Sequence, residues 1–355
     1  MRDRNLIVSK LNNNNADAII VIDESTRYWL TGFSSSDGIV VFSKDEVALF
    51  LDGRYTEKAF SEKPDAKIYP CSKGLLKSAC EYIENRGFKN LFVESERITL
   101  FTFESLKKYI PNVEIKGVEG FFTEFISTKD EKEIAFIKEA VKITDECFSN
   151  VLNYIKRGKT ECDISAEINY FFQKNGCENA FDIIVVSGVK SSMPHGTPSS
   201  VPLTENSFVT MDFGAKYKGY CSDMTRTVVL GSADDHMKFI YKTVLEANIR
   251  GIKASKWGEL CGNVDKAARE YIEENGFGDY FTHSTGHSLG VEIHEKPTIS
   301  RNNSALLEEG NIITVEPGIY IPQKYGVRIE DTVLILKNET VVLSKSPKEL
   351  IEIAI

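Results

Sequence analysis

The chain has 355 residues, 42% hydrophobic and 27% charged, with a formal net charge of −9. At roughly 150 residues per domain this predicts two domains of ordinary globular composition, and the acidic balance argues against nucleic acid and membrane partners. No apolar run is long enough to span a bilayer, Met1 to Asn15 lacks the apolar core of a signal peptide, and the seven cysteines are odd in number with no CxxC among them, so a cytoplasmic protein with reduced, mostly buried thiols is expected.

In chain order, Ala18 to Ile22, Gly38 to Phe42 and Glu46 to Leu51 are short apolar, β-branched runs and predict strands. Gly74 to Asn85 and Phe101 to Ile110 have helical spacing, and Leu91 to Val93 and Val113 to Ile115 read as further strands. Together they predict a small α/β domain with a mixed sheet. A boundary is expected between Val118 and Thr128, with the Phe121-Phe122 pair as an interdomain contact. Thr128 to Glu131 has capping-box spacing and opens a long amphipathic helix with Ile134, Ile137, Val141, Thr144, Phe148 and Val151 on one face. Thr160 to Asp163 offers a second such start. Met237 to Ile252 and Val264 to Asn275 read as helices, the latter stopped by Gly276. Ile183 to Ser187, Phe208 to Leu230 and Asn311 to Ile335 are strand-rich. The second domain is therefore α+β, and a helix pair followed by a hairpin occurs twice, which suggests a duplicated half.

Two segments carry paired carboxylates. A hairpin turning at Tyr217-Lys218 would set Asp212 directly opposite Asp223, with Cβ atoms about 5 Å apart. Glu316 and Glu330 have an even separation, and a turn near Gln323 to Gly326 would put them on one face. Read singly, the aspartates could cap turns in solvent and the glutamates could line the polar face of a half-exposed strand. Read together, four carboxylates in one cleft repel unless cations lie between them. Three of the five histidines, His283, His287 and His294, fall within twelve residues. One imidazole added to four carboxylates describes a dinuclear, oxygen-rich site for Mn²⁺, Co²⁺, Fe²⁺ or Zn²⁺. Metals about 3.5–4 Å apart can share a water and make it acidic enough to hydrolyse an amide. The i, i+4 spacing of His283 and His287 is that of a zinc helix, but Gly286 and the missing Glu argue against one. Cys221 reads as a packed strand residue.

These residues, in order and with the flanking Asp212-Phe-Gly, Gly219-Tyr220, Thr225-Arg-Thr, Gly286-His287, His294-Glu295, Glu316-Pro-Gly and Gly326-Val-Arg-Ile-Glu-Asp, resemble the pita-bread metallopeptidases. That family includes Xaa-Pro aminopeptidases, prolidases and methionine aminopeptidases, and the metal-free creatinases share its fold. The resemblance covers nearly the whole chain. It implies an α/β creatinase-like N-terminal domain over residues 1–125, which Asp52-Gly53-Arg54-Tyr55 after an apolar strand fits. It further implies an α+β pita-bread catalytic domain with pseudo-two-fold internal duplication over residues 126–355. The N-terminal domain disfavours a methionine aminopeptidase, and a complete ligand set disfavours a creatinase.

What the resemblance implies for the site is specific. Asp212, Asp223, His287, Glu316 and Glu330 would hold two divalent metals, Mn²⁺ foremost. Catalysis would fall to His195, His294 and Glu316, with Glu316 also handling the proton. His195, His283, His294 and Arg328 would bind substrate. The implied function is an Xaa-Pro aminopeptidase that opens the bond with a metal-bridging hydroxide, acting on small peptides with proline in second position, as a homodimer. A strict Xaa-Pro dipeptidase is the alternative, and a non-catalytic peptide-binding protein on the same fold a remote one. A dedicated enzyme makes chemical sense, because the Xaa-Pro amide nitrogen has no hydrogen to donate. One departure is Ser288, where many relatives carry glycine; it would narrow the pocket slightly without altering the metals.

Overall fold

The computed structural model describes residues 4–355. The chain divides into two compact units, one ending at Phe125 and one running from Ile126 to Ile355.

The first unit contains α1 (Arg4–Asn13), β1 (Ala18–Val21), α2 (Glu24–Thr31), β2 (Ile39–Ser43), β3 (Val47–Asp52), α3 (Gly53–Glu62), β4 (Lys67–Cys71), α4 (Leu75–Arg86), β5 (Asn90–Glu94), α5 (Leu100–Tyr109) and β6 (Glu114–Val118). The strands form one sheet in the order β4-β3-β2-β1-β5-β6. It is mixed as expected: β1–β2 and β2–β3 are antiparallel, and the other pairs are parallel. Every residue of β1 and β2 is buried, because helices cover both faces. Ile20, Val41, Phe50 and Val93 alternate onto one face and pack with Ala79, Cys80, Ile83 and Leu106 of α4 and α5. Phe121 and Phe122, read from the sequence as an interdomain pair, have their ring contacts with residues of this unit, Phe121 against Phe92 and Phe122 against Trp29.

A short helix, α6 (Thr123–Ser127), leads into the second unit. There follow α7 (Glu131–Val151), α8 (Glu161–Lys174), β7 (Glu178–Asn179), β8 (Ile184–Ser187), β9 (Ser207–Phe213), β10 (Ala215–Tyr217), β11 (Tyr220–Cys221), β12 (Met224–Leu230), α9 (Asp235–Ala254), α10 (Cys261–Glu274), β13 (Gly286–Ser288), β14 (Glu295–Ile299), β15 (Ile312–Val315), β16 (Gly318–Ile321), β17 (Tyr325–Arg328), β18 (Asp331–Ile335), β19 (Thr340–Val342) and β20 (Glu352–Ile353). The cap of α7 lies two residues beyond the expected one. Asp130 is the N-cap, and Asp130 and Glu133 exchange the two capping-box bonds at 2.9 and 2.8 Å. An aspartate and a glutamate spaced by three do the same work as the Thr–Glu pair two residues upstream. The Thr160–Asp163 box forms as expected.

The duplication is visible in the topology. A helix pair precedes an antiparallel trio in each half: α7 and α8 before β8-β9-β12, then α9 and α10 before β13-β15-β18. The second helices both have 14 residues, beginning at Glu161 and Cys261. Each lies between two left-handed glycines, Gly158 and Gly176 in one half, Gly258 and Gly276 in the other. Their apolar faces bury Ile164, Ile168 and Phe172 in one core and Val264, Ala268 and Ile272 in the other half.

Candidate metal centre

Both long hairpins break in mid-length, and the acids gather at the breaks. In the first, β9 pairs with β12 and β10 with β11 in one continuous register, interrupted at Gly214 and at Ser222-Asp223. The turn is Lys218-Gly219, both at positive φ, as a two-residue hairpin loop requires. It lies one residue past the expected turn, and the correction shifts the register. Asp212 stands across from Thr225, not from Asp223. The shift is by two residues, so parity is kept and the two aspartates still share a face as diagonal neighbours.

The second hairpin breaks between β15–β18 and β16–β17. Val315 pairs with Asp331 on one side of the gap and Gly318 with Arg328 on the other. The register is common to both, so Glu316 stands across from Glu330, as the even spacing predicts. The turn runs over residues 322–324, with Gln323 at φ 63. His287 comes from β13, whose register with β14 shifts between His287 and Ser288.

These elements converge. His287 Nε2 lies 3.5 Å from Asp223 Oδ2 and 3.5 Å from Glu316 Oε1. Asp223, His287 and Glu330 each offer a ligand atom within 4.8 Å of the others. Two threonine hydroxyls couple neighbouring groups. Thr314 Oγ1 accepts from His287 N–H at 3.1 Å and lies 3.4 Å from Glu316 Oε1. Thr225 Oγ1 donates to Glu330 Oε2 at 2.8 Å and accepts from Arg328 Nε at 2.9 Å. Arg328 Nη2 in turn holds Asp212 Oδ2 at 2.6 Å. Asp212 and Glu330 thus each have one oxygen oriented by protein. Their other oxygens, Asp212 Oδ1 and Glu330 Oε1, are buried and accept no hydrogen bond from the described residues. Unpaired buried carboxylate oxygens are costly unless a cation meets them. The donor set therefore fits divalent metals with a preference for oxygen.

The electrostatics agree. Asp223 and Glu330, 5% and 1% exposed, are pushed well above the usual carboxylate range. Burial is the largest cause for both. Asp212 and Glu316 add to it for Asp223, and Asp223, Glu316 and Asp212 for Glu330. Burial also raises Glu316, against the opposing charges of His287 and Arg328.

The remaining predicted residues surround this cluster. The His294 ring stands 4.4 Å from that of His287, at 72°, and its pKa is lowered by burial and by His287. His195 is exposed on the loop after β8, and its charge acts on both His294 and His283. His283 ends a directed chain of hydrogen bonds. Arg328 Nη1 donates to Tyr320 Oη at 2.7 Å, Tyr320 donates to His283 Nε2 at 3.0 Å, and His283 Nδ1 donates to Ser284 O at 2.7 Å. Burial and the Arg328 charge hold His283 down at about 4, so it is neutral at physiological pH.

Ser288 departs from the expectation of a narrowed pocket. Its hydroxyl donates to Ile312 O at 2.9 Å and accepts from Lys129 Nζ at 3.0 Å, tying it into the strand pair. Lys129 in turn pairs with Glu295 at 2.8 Å, both side chains almost fully buried. Lys129 and the Thr314 and Tyr320 hydroxyls do not stand out in the sequence, where nothing distinguishes them from ordinary strand or helix-flanking residues. Thr225 falls in the Thr225-Arg-Thr segment that carries the resemblance, but its role is not legible there. Cys221 is buried on β11, and burial raises its thiol to about 12.

Comparison with known proteins gives the context. Residues 135–337 match the model of metallopeptidase family M24, and residues 4–125 match the creatinase/prolidase N-terminal domain. An Xaa-Pro dipeptidase of Pyrococcus horikoshii is 37% identical over 348 residues, 97% of this chain and 97% of the relative. The structure of an Xaa-Pro dipeptidase from Bacillus anthracis superposes with a TM-score of 0.95 at 37% identity, covering 99% of each chain. That of an X-Pro aminopeptidase from Thermotoga maritima gives 0.90 at 32% identity, covering 98% of this chain and 100% of the other. The second unit has the pita-bread fold of such peptidases. The chain belongs to metallopeptidase family M24 and carries that family's creatinase/prolidase N-terminal domain.

Proposed function

We propose that this metallopeptidase is an Xaa-Pro dipeptidase with two divalent metals, Mn²⁺ foremost, held by Asp212, Asp223, His287, Glu316 and Glu330. The observation that carries the substrate assignment is the likeness, over 99% of both chains, to an Xaa-Pro dipeptidase. The relatives thus back the dipeptidase alternative better than the aminopeptidase expected from the sequence. When bound, the cations supply Lewis acidity and a water acidic enough to attack an amide at neutral pH.

The chain's own residues do the rest. Glu316, its carboxyl raised by burial, takes up a proton and returns it to the leaving nitrogen. His294 and His195 donate hydrogen bonds toward the oxygen that gains charge as the carbonyl is attacked. Arg328 and His283 are engaged in the chain through Tyr320, so their part is to place Asp212 and shape the wall beside the proline ring.

The test is a paired assay on protein stripped and reloaded with Mn²⁺ or Co²⁺. A free Xaa-Pro dipeptide should be cleaved with a kcat/KM at least about 100-fold above that for an Xaa-Pro tripeptide, a margin of nearly 3 kcal/mol in transition-state binding. Comparable cleavage of the tripeptide, releasing its first residue, would make it an aminopeptidase, the reading that the likeness to the Thermotoga maritima enzyme favours. Hydrolysis of neither, with two metals bound, sinks the proline-peptidase reading. Among the described residues no helix is long and apolar enough to cross a membrane. A cytoplasmic homodimer is the accompanying proposal, checked by fractionation and light scattering.

A further inference from the structure

The broken hairpin that carries Glu316 and Glu330 leaves backbone groups that need partners. The two amides find them in neighbouring strands and loops. Glu316 N–H donates to Thr285 O at 2.7 Å and Glu330 N–H to Thr225 O at 3.2 Å. Across the break itself the direct bond is long, Ile329 N–H to Pro317 O at 3.4 Å. The carbonyls just before the two glutamates are met by a single side chain. Asn248, fully buried on α9, donates Nδ2 to Val315 O at 2.8 Å and to Ile329 O at 3.4 Å.

The helix can reach this close because Gly251 follows one turn later. A Cβ there would lie 2.7 Å from Val315 Cγ1. Asn248 Oδ1 accepts from Lys348 Nζ at 3.1 Å, and the same ammonium donates to Asp331 Oδ2 at 2.7 Å. The amide orientation is forced, since an ammonium only donates and a carbonyl only accepts. Lys348 is held in turn by its own backbone, whose carbonyl accepts from Tyr241 Oη at 2.8 Å.

We propose that Asn248, oriented by Lys348, is a positioning residue for the metal centre. It sets the spacing of the two backbones from which Glu316 and Glu330 project, and so the spacing of their carboxylates. The inference rests on the reading that these two glutamates hold metal. Groups that orient metal ligands from behind typically change affinity by about 10–100-fold when lost.

The experiment titrates Co²⁺ into the metal-stripped full-length protein. Visible absorption follows ligand geometry, calorimetry follows affinity, and the melting temperature is recorded on the same samples. Asn248→Ala should bind Co²⁺ about 10–100-fold more weakly, with shifted absorption bands. Lys348→Met, at a partly exposed position, should move affinity and bands in the same direction by less, and it carries the test alone if Asn248→Ala does not fold. Variants that melt lower but keep wild-type affinity and spectrum would make Asn248 a purely structural residue and overturn the proposal. A wild-type protein that takes up no Co²⁺ would overturn the metal reading, and this inference with it.

Discussion

Asp223 shows most directly why a cation belongs among these side chains. It is buried beside Asp212 and Glu316, with both carboxylates raising its pKa, and repulsion of that kind is relieved by a metal, a proton or a neutral substitute. Asp223→Asn should therefore abolish tight metal binding and hydrolysis together, read by elemental analysis after dialysis and by the dipeptide assay. Compared metal-free, the same variant should melt above the wild type, because one like charge is gone. His294→Ala should behave oppositely. It should lower kcat by about 10²–10⁴ with metal content intact, and loss of metal would instead make His294 structural. At this scale the ligand types were legible, since two pairs of acids in strand-rich stretches and three histidines within twelve residues are unusual together. The threonines that orient them were not, since a strand threonine is commonplace and only its partner's position gives it a role.

Elements carry two further expectations. Gly286 precedes His287 on β13, and a Cβ there would stand 2.0 Å from Thr314 O on the adjacent strand. Gly286→Ala should push β13 off β15, cost roughly 1–3 kcal/mol of stability and weaken metal binding, both measurable by chemical denaturation and metal titration. In the first unit, Glu46 ties the edge of the sheet to α4. Burial raises its pKa, but hydrogen bonds from Tyr82 and Tyr69 and the charges of Lys67 and Arg86 outweigh that and leave it lowered. A lowered folded pKa gives stability that is full above the unfolded value near 4.5 and fades as pH falls through the folded one. Glu46→Gln should thus lower the melting temperature at pH 6 and lose that difference toward pH 3. Many of the helices and strands follow from periodicity, but α1, α2, α3 and β4 of the first unit are not read from it. Nor does the hairpin turn follow from it: Tyr217-Lys218 and Lys218-Gly219 differ by one residue, and only the latter puts glycine at the second positive φ.

For the whole molecule, residues 1–125 and 126–355 are proposed to fold as separate domains, with every candidate ligand in the second. Metal then stabilises that domain alone, by an amount that grows with its concentration over Kd. Calorimetry should show two transitions, and a chelator should lower only one. That transition should be the one that ceases to respond to Mn²⁺ in Asp223→Asn. A chelator that moved both equally would show a single cooperative unit.

Composition, periodicity and the spacing of paired acids were enough, by themselves, to indicate an α/β domain followed by an α+β domain with a repeated helix-pair-and-hairpin order, and the four paired acids; His287 as the fifth candidate ligand came from the family resemblance of the sequence. These are local properties, because strand alternation and the parity of a hairpin survive any detail of packing. Tertiary structure decided what depends on distance between remote segments. It set Asp212 across from Thr225, turned Arg328 and His283 inward through Tyr320, and tied Ser288 to Lys129. It also brought Asn248 against the carbonyls of Val315 and Ile329. Hydrogen-bond partners so far apart in the chain are chosen by how helices and sheets pack, and no local pattern records that choice.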